Sequence, residues 1–185
     1  MESGALDEAR IAVSLDDKDA MAHAVLAHTR LAFGEREAAI AEARTALQLN
    51  PNSAFVLGFL GCVLAFGGYH DEALTRLQQA RRASPYDPLL WLWTFWSGIA
   101  QFYARRFDDA VATFDEVLRL RPGSADALRV GAAALAHLGR LDEARDRLKR
   151  AQAQSQRRLG QRAPWMRDED YALSSEGIRL ASAPE

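Results

Sequence analysis

Four histidines, one cysteine and a recurring set of acidic pairs are the residues of this chain that could build a reaction centre. His23 and His28 are five residues apart, about 140° round a helix, so they cannot share a metal ion as ligands four residues apart do. The chain has no His-Glu-x-x-His string, no cysteine cluster and no glycine-rich phosphate loop, and Gly67-Gly68 is an isolated pair that reads as a turn. Cys62 lies in the apolar run Val56 to Phe66 and is read as a small buried residue rather than a reactive thiol. The acidic pairs Asp71-Glu72, Asp108-Asp109 and Asp142-Glu143 recur at regular spacing, which suits helix starts better than an active site. These residues predict no catalytic site, no metal and no cofactor, and so a chain that is not an enzyme.

The elements that carry these residues must come from an ordinary folded chain. It has 185 residues, of which 49% are hydrophobic and 26% charged, and a formal net charge of -2. That balance gives no global field for nucleic acid or anionic lipid. The cluster Arg145, Arg147, Lys149, Arg150, Arg157, Arg158 and Arg162 reads as a solvated face partly paired with Asp142, Glu143 and Asp146. Contact with an acidic partner is the rival reading, and nucleic acid is not favoured. No apolar stretch reaches the roughly 20 residues that span a bilayer, and the acidic start Met1-Glu2-Ser3-Gly4 lacks the features of a signal peptide. A single cysteine allows no intrachain disulfide, so a cytoplasmic location is expected.

The organisation shows in a repeat. Leu47-Gln48-Leu49-Asn50-Pro51, Ala80-Arg81-Arg82-Ala83-Ser84-Pro85 and Leu118-Arg119-Leu120-Arg121-Pro122 each close an Ala/Leu-rich run with proline, 34 and then 37 residues apart. Ala39, Ala73, Ala110 and Ala144 follow acidic residues with the beat 34, 37, 34, so three residues are inserted between Pro85 and Trp91. Each unit reads as two helices. The first ends near Gly34, Gly67-Gly68 or Gly139, and the second opens with acids and stops at proline. The alanines are small because the two helices must approach closely there.

These positions resemble the tetratricopeptide repeat. The small eighth residue of that pattern is matched by Ala27, Gly61, Gly98 and Ala132, and the twentieth by the four alanines. Ala43, Leu77, Phe114 and Leu148 match the twenty-fourth position, and Ala46, Ala80, Val117 and Ala151 the twenty-seventh. His23 and Thr94 depart from the bulky fourth position. The resemblance implies an all-α, right-handed solenoid of antiparallel helix pairs. Residues 1–17 are then the second helix of a truncated repeat, 20–53, 54–87, 88–124 and 125–160 are four repeats, and 164–185 form a capping helix and tail anchored by Trp165 or Met166. A start halfway through a unit suggests a piece of a longer protein.

The tail Asp168–Glu185 and the insert Ser84-Pro85-Tyr86-Asp87-Pro88-Leu89-Leu90-Trp91 are similar to the repeat region that follows the catalytic domain of bacterial class III adenylate cyclases. Similar repeats follow winged-helix transcription activators. The resemblance therefore implies a regulatory or assembly region of a larger signalling protein, working as a protein-interaction scaffold.

In the tetratricopeptide family, partners bind along the first helices at the second, fifth, ninth, twelfth and thirteenth positions. The residues expected to line that groove here are Phe55, Phe66, Leu92, Phe95, Ile99, Phe102, Tyr103 and Arg129, with Met21, Ala24, His28, Gly58 and Cys62 among their neighbours. Cationic residues are nearly absent there, which argues against a clamp for C-terminal carboxylates. The run Trp91-Leu92-Trp93-Thr94-Phe95-Trp96 is apolar almost all round its helix, so it is either an unusually bulky core or a surface that another chain covers. The expected partner is a protein: a peptide or helix in the groove, or a second copy. The alternative is a sensor domain that takes a small apolar ligand there.

Overall fold

Proline and glycine punctuation sets the helix ends, and the computed structural model of the chain, which describes residues 3–154 and 162–183, consists of helices over nearly all of them. The order is α1 (Ser3–Leu15), α2 (Ala20–Ala32), α3 (Arg36–Leu49), α4 (Ala54–Gly67), α5 (His70–Ala83), α6 (Leu90–Tyr103), α7 (Phe107–Leu120), α8 (Ala125–His137), α9 (Leu141–Gln154) and α10 (Asp168–Ser182). No strand occurs among the described residues. The four even-numbered helices from α2 to α8 are first helices of a pair, and the odd-numbered helices from α3 to α9 are second helices.

The two kinds of helix start differently. Asp19, Ser53 and Ser124 cap α2, α4 and α8 by accepting hydrogen bonds from backbone N–H groups of the first turn. The second helices lack such side-chain caps at Glu35, Tyr69 and Arg106, and place Glu37, Asp71-Glu72 and Asp108-Asp109 in the first turn instead. Those carboxylates meet the positive end of the helix dipole. α3, α5 and α7 stop at Asn50, Ser84 and Arg121, each with extended φ near -145°. The proline that follows each of these residues forbids the helical region to its predecessor.

The turns inside the pairs need a left-handed backbone. Gly34, Gly68 and Gly139 supply it with φ of 82°, 90° and 75°. The third pair has no glycine there, and Arg105 adopts φ 60° in its place. A non-glycine residue costs about 1–2 kcal/mol in that region, so this turn is held against a local preference.

Packing follows the repeat anchors. Ala39, Ala73, Ala110 and Ala144 are all 0% exposed, and Ala46, Ala80, Val117 and Ala151 are buried with them. In the second and third pairs the eighth and twenty-fourth positions compensate in volume. A Cβ built on Gly61 would lie 2.5 Å from Leu77 Cγ, and one on Gly98 would lie 2.8 Å from the Phe114 ring. The glycine therefore makes room for a large side chain on the second helix.

The chain divides into two compact units, Met1–Trp93 and Thr94–Glu185. In the first, α2–α3 and α4–α5 pack as antiparallel hairpins, α4 also touches α2 and α3, and α1 packs on α2 through Leu6, Ala9 and Leu26. In the second, α8–α9 form a hairpin, α7 packs on α8, and α10 packs on α8 more extensively than on α9. α10 was expected to be a cap anchored by Trp165 or Met166. Both of those side chains are half-buried, and the stripe that α10 buries is Asp170, Leu173, Gly177 and Ala181. The continuation of the fourth repeat towards Leu159 and the end of the tail, Pro184-Glu185, lie outside the described residues.

Candidate functional site

The residues with reactive potential sit in structural roles. Cys62 is fully buried, and desolvation pushes its thiol pKa well up, so the thiolate is disfavoured. His23 is nearly buried at the atypical fourth position of the first pair. Its Nδ1 lies 2.5 Å from Glu42 Oε1, and its Nε2 lies 3.0 Å from the Asp17 carbonyl. Burial opposes the charged ring, but the hydrogen bonds to the Asp17 carbonyl and to Glu42 outweigh it and raise the pKa. No group of three His, Cys, Asp or Glu that could hold a metal occurs among the described residues, and no helix among them is long and apolar enough to cross a membrane.

The basic α9 is partly neutralised. Arg145 pairs with Asp142 at 2.8 Å, Arg150 with Asp146 at 4.0 Å, and Arg147 with Asp115 on α7 at 2.6 Å. Arg140 makes a bidentate pair with Glu143, both bonds at 2.7 Å. Arg157 and Arg158 lie outside the described residues.

An apolar face remains in the first unit. On α2, Met21, Val25 and His28 follow one another at i, i+4 and i+7, and on α4, Phe55, Phe59, Cys62 and Phe66 occupy the matching places. Met21 is 53% and Val25 42% exposed, and Phe55, Phe59 and Phe66 are half-buried. The two rows touch, since the His28 ring stands edge-on to Phe59 at 5.2 Å, and Phe59 packs on Phe55 at 4.4 Å. Solvent reaches His28 on one side, yet the crowding of apolar atoms on the other lowers its pKa. Trp93 closes the fifth position of α4: its indole covers Gly58, where a Cβ would come within 2.4 Å of the ring.

The expected groove residues are therefore not equivalent. Phe55, Phe66 and Leu92 of the first unit are half-buried, as are Phe95 and Arg129 of the second. Phe95 leans on Phe114 at 5.9 Å, and Arg129 pairs with Asp126 on its own helix. Ile99, Phe102 and Tyr103 are buried. Phe102 shares the twelfth position with Leu31, Ala65 and Ala136, all of them buried, so that position faces inward in every pair and not towards a partner. The open row instead passes through the sixth position, Val25 and Phe59, which the expected groove positions omit. Counting i, i+4, i+7 and i+11 from Met21 or Phe55 recovers them. Of the two readings of the aromatic run, the bulky core accounts for Trp93 and Trp96, and leaves Trp91, Leu92 and Phe95 half-buried.

In the second unit part of the corresponding row, at its ninth and thirteenth places, is covered by the chain itself. Tyr103, Ala133 and His137 hold the ninth or thirteenth places of α6 and α8, and all three meet α10. His137 Nε2 donates to the Leu173 carbonyl at 3.0 Å, and Gly177 lies so close that a Cβ on it would fall 2.7 Å from Ala133 Cβ. Tyr103 hydrogen-bonds Ser174. Burial, with the charge of Asp170 beside it, pushes the phenol pKa well up. The His137 ring stacks on Phe107 at 4.7 Å with 10° between planes, which fixes its orientation.

Comparison with known proteins fits this geometry. Residues 97–158 match the family model described as tetratricopeptide repeat. A crystal structure of PilW, a widely conserved type IV pilus biogenesis factor, superposes with TM-score 0.74 at 21% identity, over 94% of this chain and 78% of that one. The structure of PilF from Pseudomonas aeruginosa gives TM-score 0.68 at 22% identity over 94% and 77%. A crystal structure of MamA gives 0.64 at 20% identity over 83% and 88%. A search of the curated proteins finds no match. Ten helices among the described residues with buried repeat anchors, a tetratricopeptide-repeat match over 97–158 and these structural likenesses make the chain an all-α helical-repeat protein with the tetratricopeptide-repeat fold.

Proposed function

We infer that this protein is a non-catalytic scaffold that binds another protein through the first helices of its first unit. The observation that carries this reading is the two-row apolar face of Met21, Val25 and His28 on α2 with Phe55, Phe59 and Phe66 on α4. Contiguous apolar surface of this kind is costly to leave in water and marks interaction sites on soluble domains. Its aromatic rings are rigid and lose little freedom on binding, as residues that dominate interface energy do. The chemistry suits an apolar segment, above all one face of an amphipathic helix laid along the two rows. Phe66 and Leu92 extend the surface of the same unit, and Phe95 and Arg129 are secondary positions in the other.

The test is affinity capture with the full chain and with its Phe55→Asp and Phe59→Asp variants, followed by titration of the purified partner. The expected outcome is loss of binding by tenfold or more, about 1.4 kcal/mol or above, with helicity unchanged. Equal binding by wild type and both variants would sink the reading. Membership of a larger bacterial signalling protein, such as a class III adenylate cyclase, is a separate proposal. The genomic reading frame around this chain tests it, a cyclase or winged-helix domain in the same frame being the supporting result.

A further inference from the structure

α10 lies where a partner would lie. In the first unit the face through the second, sixth, ninth and thirteenth positions of the first helices stays open at Met21, Val25 and His28 and half-open at Phe55, Phe59 and Phe66. In the second unit Tyr103, Ala133 and His137 hold places on the same face, and each is in contact with α10. The contact is a helix-in-groove arrangement made within one chain. α10 presents Asp170, Leu173, Gly177 and Ala181 at i, i+3, i+7 and i+11, a straight stripe on one side of the helix. Gly177 permits its close approach, since a side chain there would meet Ala133 Cβ at 2.7 Å and the Ala133 backbone at 2.9 Å.

That stripe is poor in large apolar residues. It holds one large apolar residue, Leu173, two small ones and a carboxylate. Asp170 is only 2% exposed, yet its counter-ion comes from its own segment: Arg167 Nε and Nη2 reach its two oxygens at 2.7 Å each. This ion pair therefore travels with α10 when the helix leaves. Bonds across the contact include those from His137 to the Leu173 carbonyl, between Tyr103 and Ser174, and from Arg145 to the Ala183 carbonyl at 3.3 Å. Water can replace these bonds when the helix leaves.

We propose that α10 is a displaceable internal ligand: the face of the second unit formed by Tyr103, Ala133 and His137 is a helix-binding site, which α10 fills until a partner helix with the same pattern of acid, leucine, glycine and small residue competes for it. This rests on the reading of the chain as an interaction scaffold, and assigns the second unit a regulated site beside the open face of the first. Tethering gives α10 an effective concentration in the millimolar range, so a partner must bind the bare face tightly or α10 must be loosened first.

The test uses the full chain, its Gly177→Leu variant and a fluorescein-labelled peptide of residues 162–183. Hydrogen exchange locates α10, and fluorescence anisotropy reads peptide binding. Gly177→Leu is expected to lose amide protection over 168–182 while keeping it over α8, and to bind the peptide at least about tenfold more tightly than wild type does. A peptide that itself carries Gly177→Leu should not bind. Three results overturn the proposal: loss of protection throughout the second unit, which makes α10 part of the cooperative fold; α10 staying protected in the variant; or an undocked α10 with no gain in peptide binding. None of them bears on the open face of the first unit, which the Phe55 and Phe59 variants test alone.

Discussion

At the scale of single residues, two side chains do what a repeat does not ask of them. His23 stands where a bulky apolar residue is usual, and it is held by Glu42, which also lies 3.7 Å from Arg30 Nε. Because its folded pKa is raised above the unfolded value of 6.5, the stability it adds is complete below about pH 6.5 and is lost as pH rises through the folded pKa. Denaturant midpoints should therefore fall as pH rises above 6.5, and His23→Leu should flatten that part of the profile. An unchanged profile in the variant would assign the pH dependence elsewhere. Glu42→Gln should cost about 1.5–3 kcal/mol near pH 6, the usual worth of a hydrogen bond to a charged group. Arg105 is the other case. Arg105→Gly removes the left-handed penalty at φ 60° but adds unfolded-chain entropy, for a net gain of about 0.5–1 kcal/mol, measurable as a rise in Tm.

At the scale of elements, the helix pairs are closed by matched volumes. Gly98 faces Phe114 and Gly61 faces Leu77, so the small residue and the large one form a unit across two helices. Gly98→Ala brings a methyl group to within 2.8 Å of the Phe114 ring and should destabilise the protein by about 1–3 kcal/mol. Adding Phe114→Leu should recover part of that loss, since the pair is coupled. Thermal melts of the single and double variants check it, and strict additivity would show that the two side chains do not compete for one space. α6 shows how far such closure goes. A helix rich in tryptophan and phenylalanine looks like a surface for another chain, but Trp93 finds Gly58 to pack on, and Phe102 finds Phe107, Tyr103 and the His137 ring.

At the scale of the molecule, two units of one repeat type treat their first-helix faces in opposite ways. The first leaves Met21 and Val25 exposed and the phenylalanines of α4 half-buried, and the second covers Tyr103, Ala133 and His137 with α10. The net charge is only -2, and the open face carries no acid or base beyond His28. Association there should be driven by apolar burial. Its affinity should change by less than about twofold between 50 and 500 mM NaCl, with a negative heat-capacity change by calorimetry. A steep loss of affinity with salt would move the binding surface to the arginines of α9.

The local chain alone determines the framework. Pro51, Pro85 and Pro122 stop helices because their rings forbid helical backbone before them, and Gly34, Gly68 and Gly139 turn the chain because only they take φ near 80° freely. The buried anchors were readable for the same reason, since a steric rule at fixed spacing needs no knowledge of distant neighbours. Arg105 escaped that logic, because surrounding structure holds it in a conformation its own side chain disfavours. The proposed binding face escaped it too. Whether a residue on a first helix is wall, floor or core depends on what arrives from far along the chain. Trp93 covers Gly58 from 35 residues away, and Leu173 meets His137 from 36. Periodicity finds the helix faces. Only the packed structure decides which of them stays open, because burial is a property of neighbours and not of a residue's own sequence.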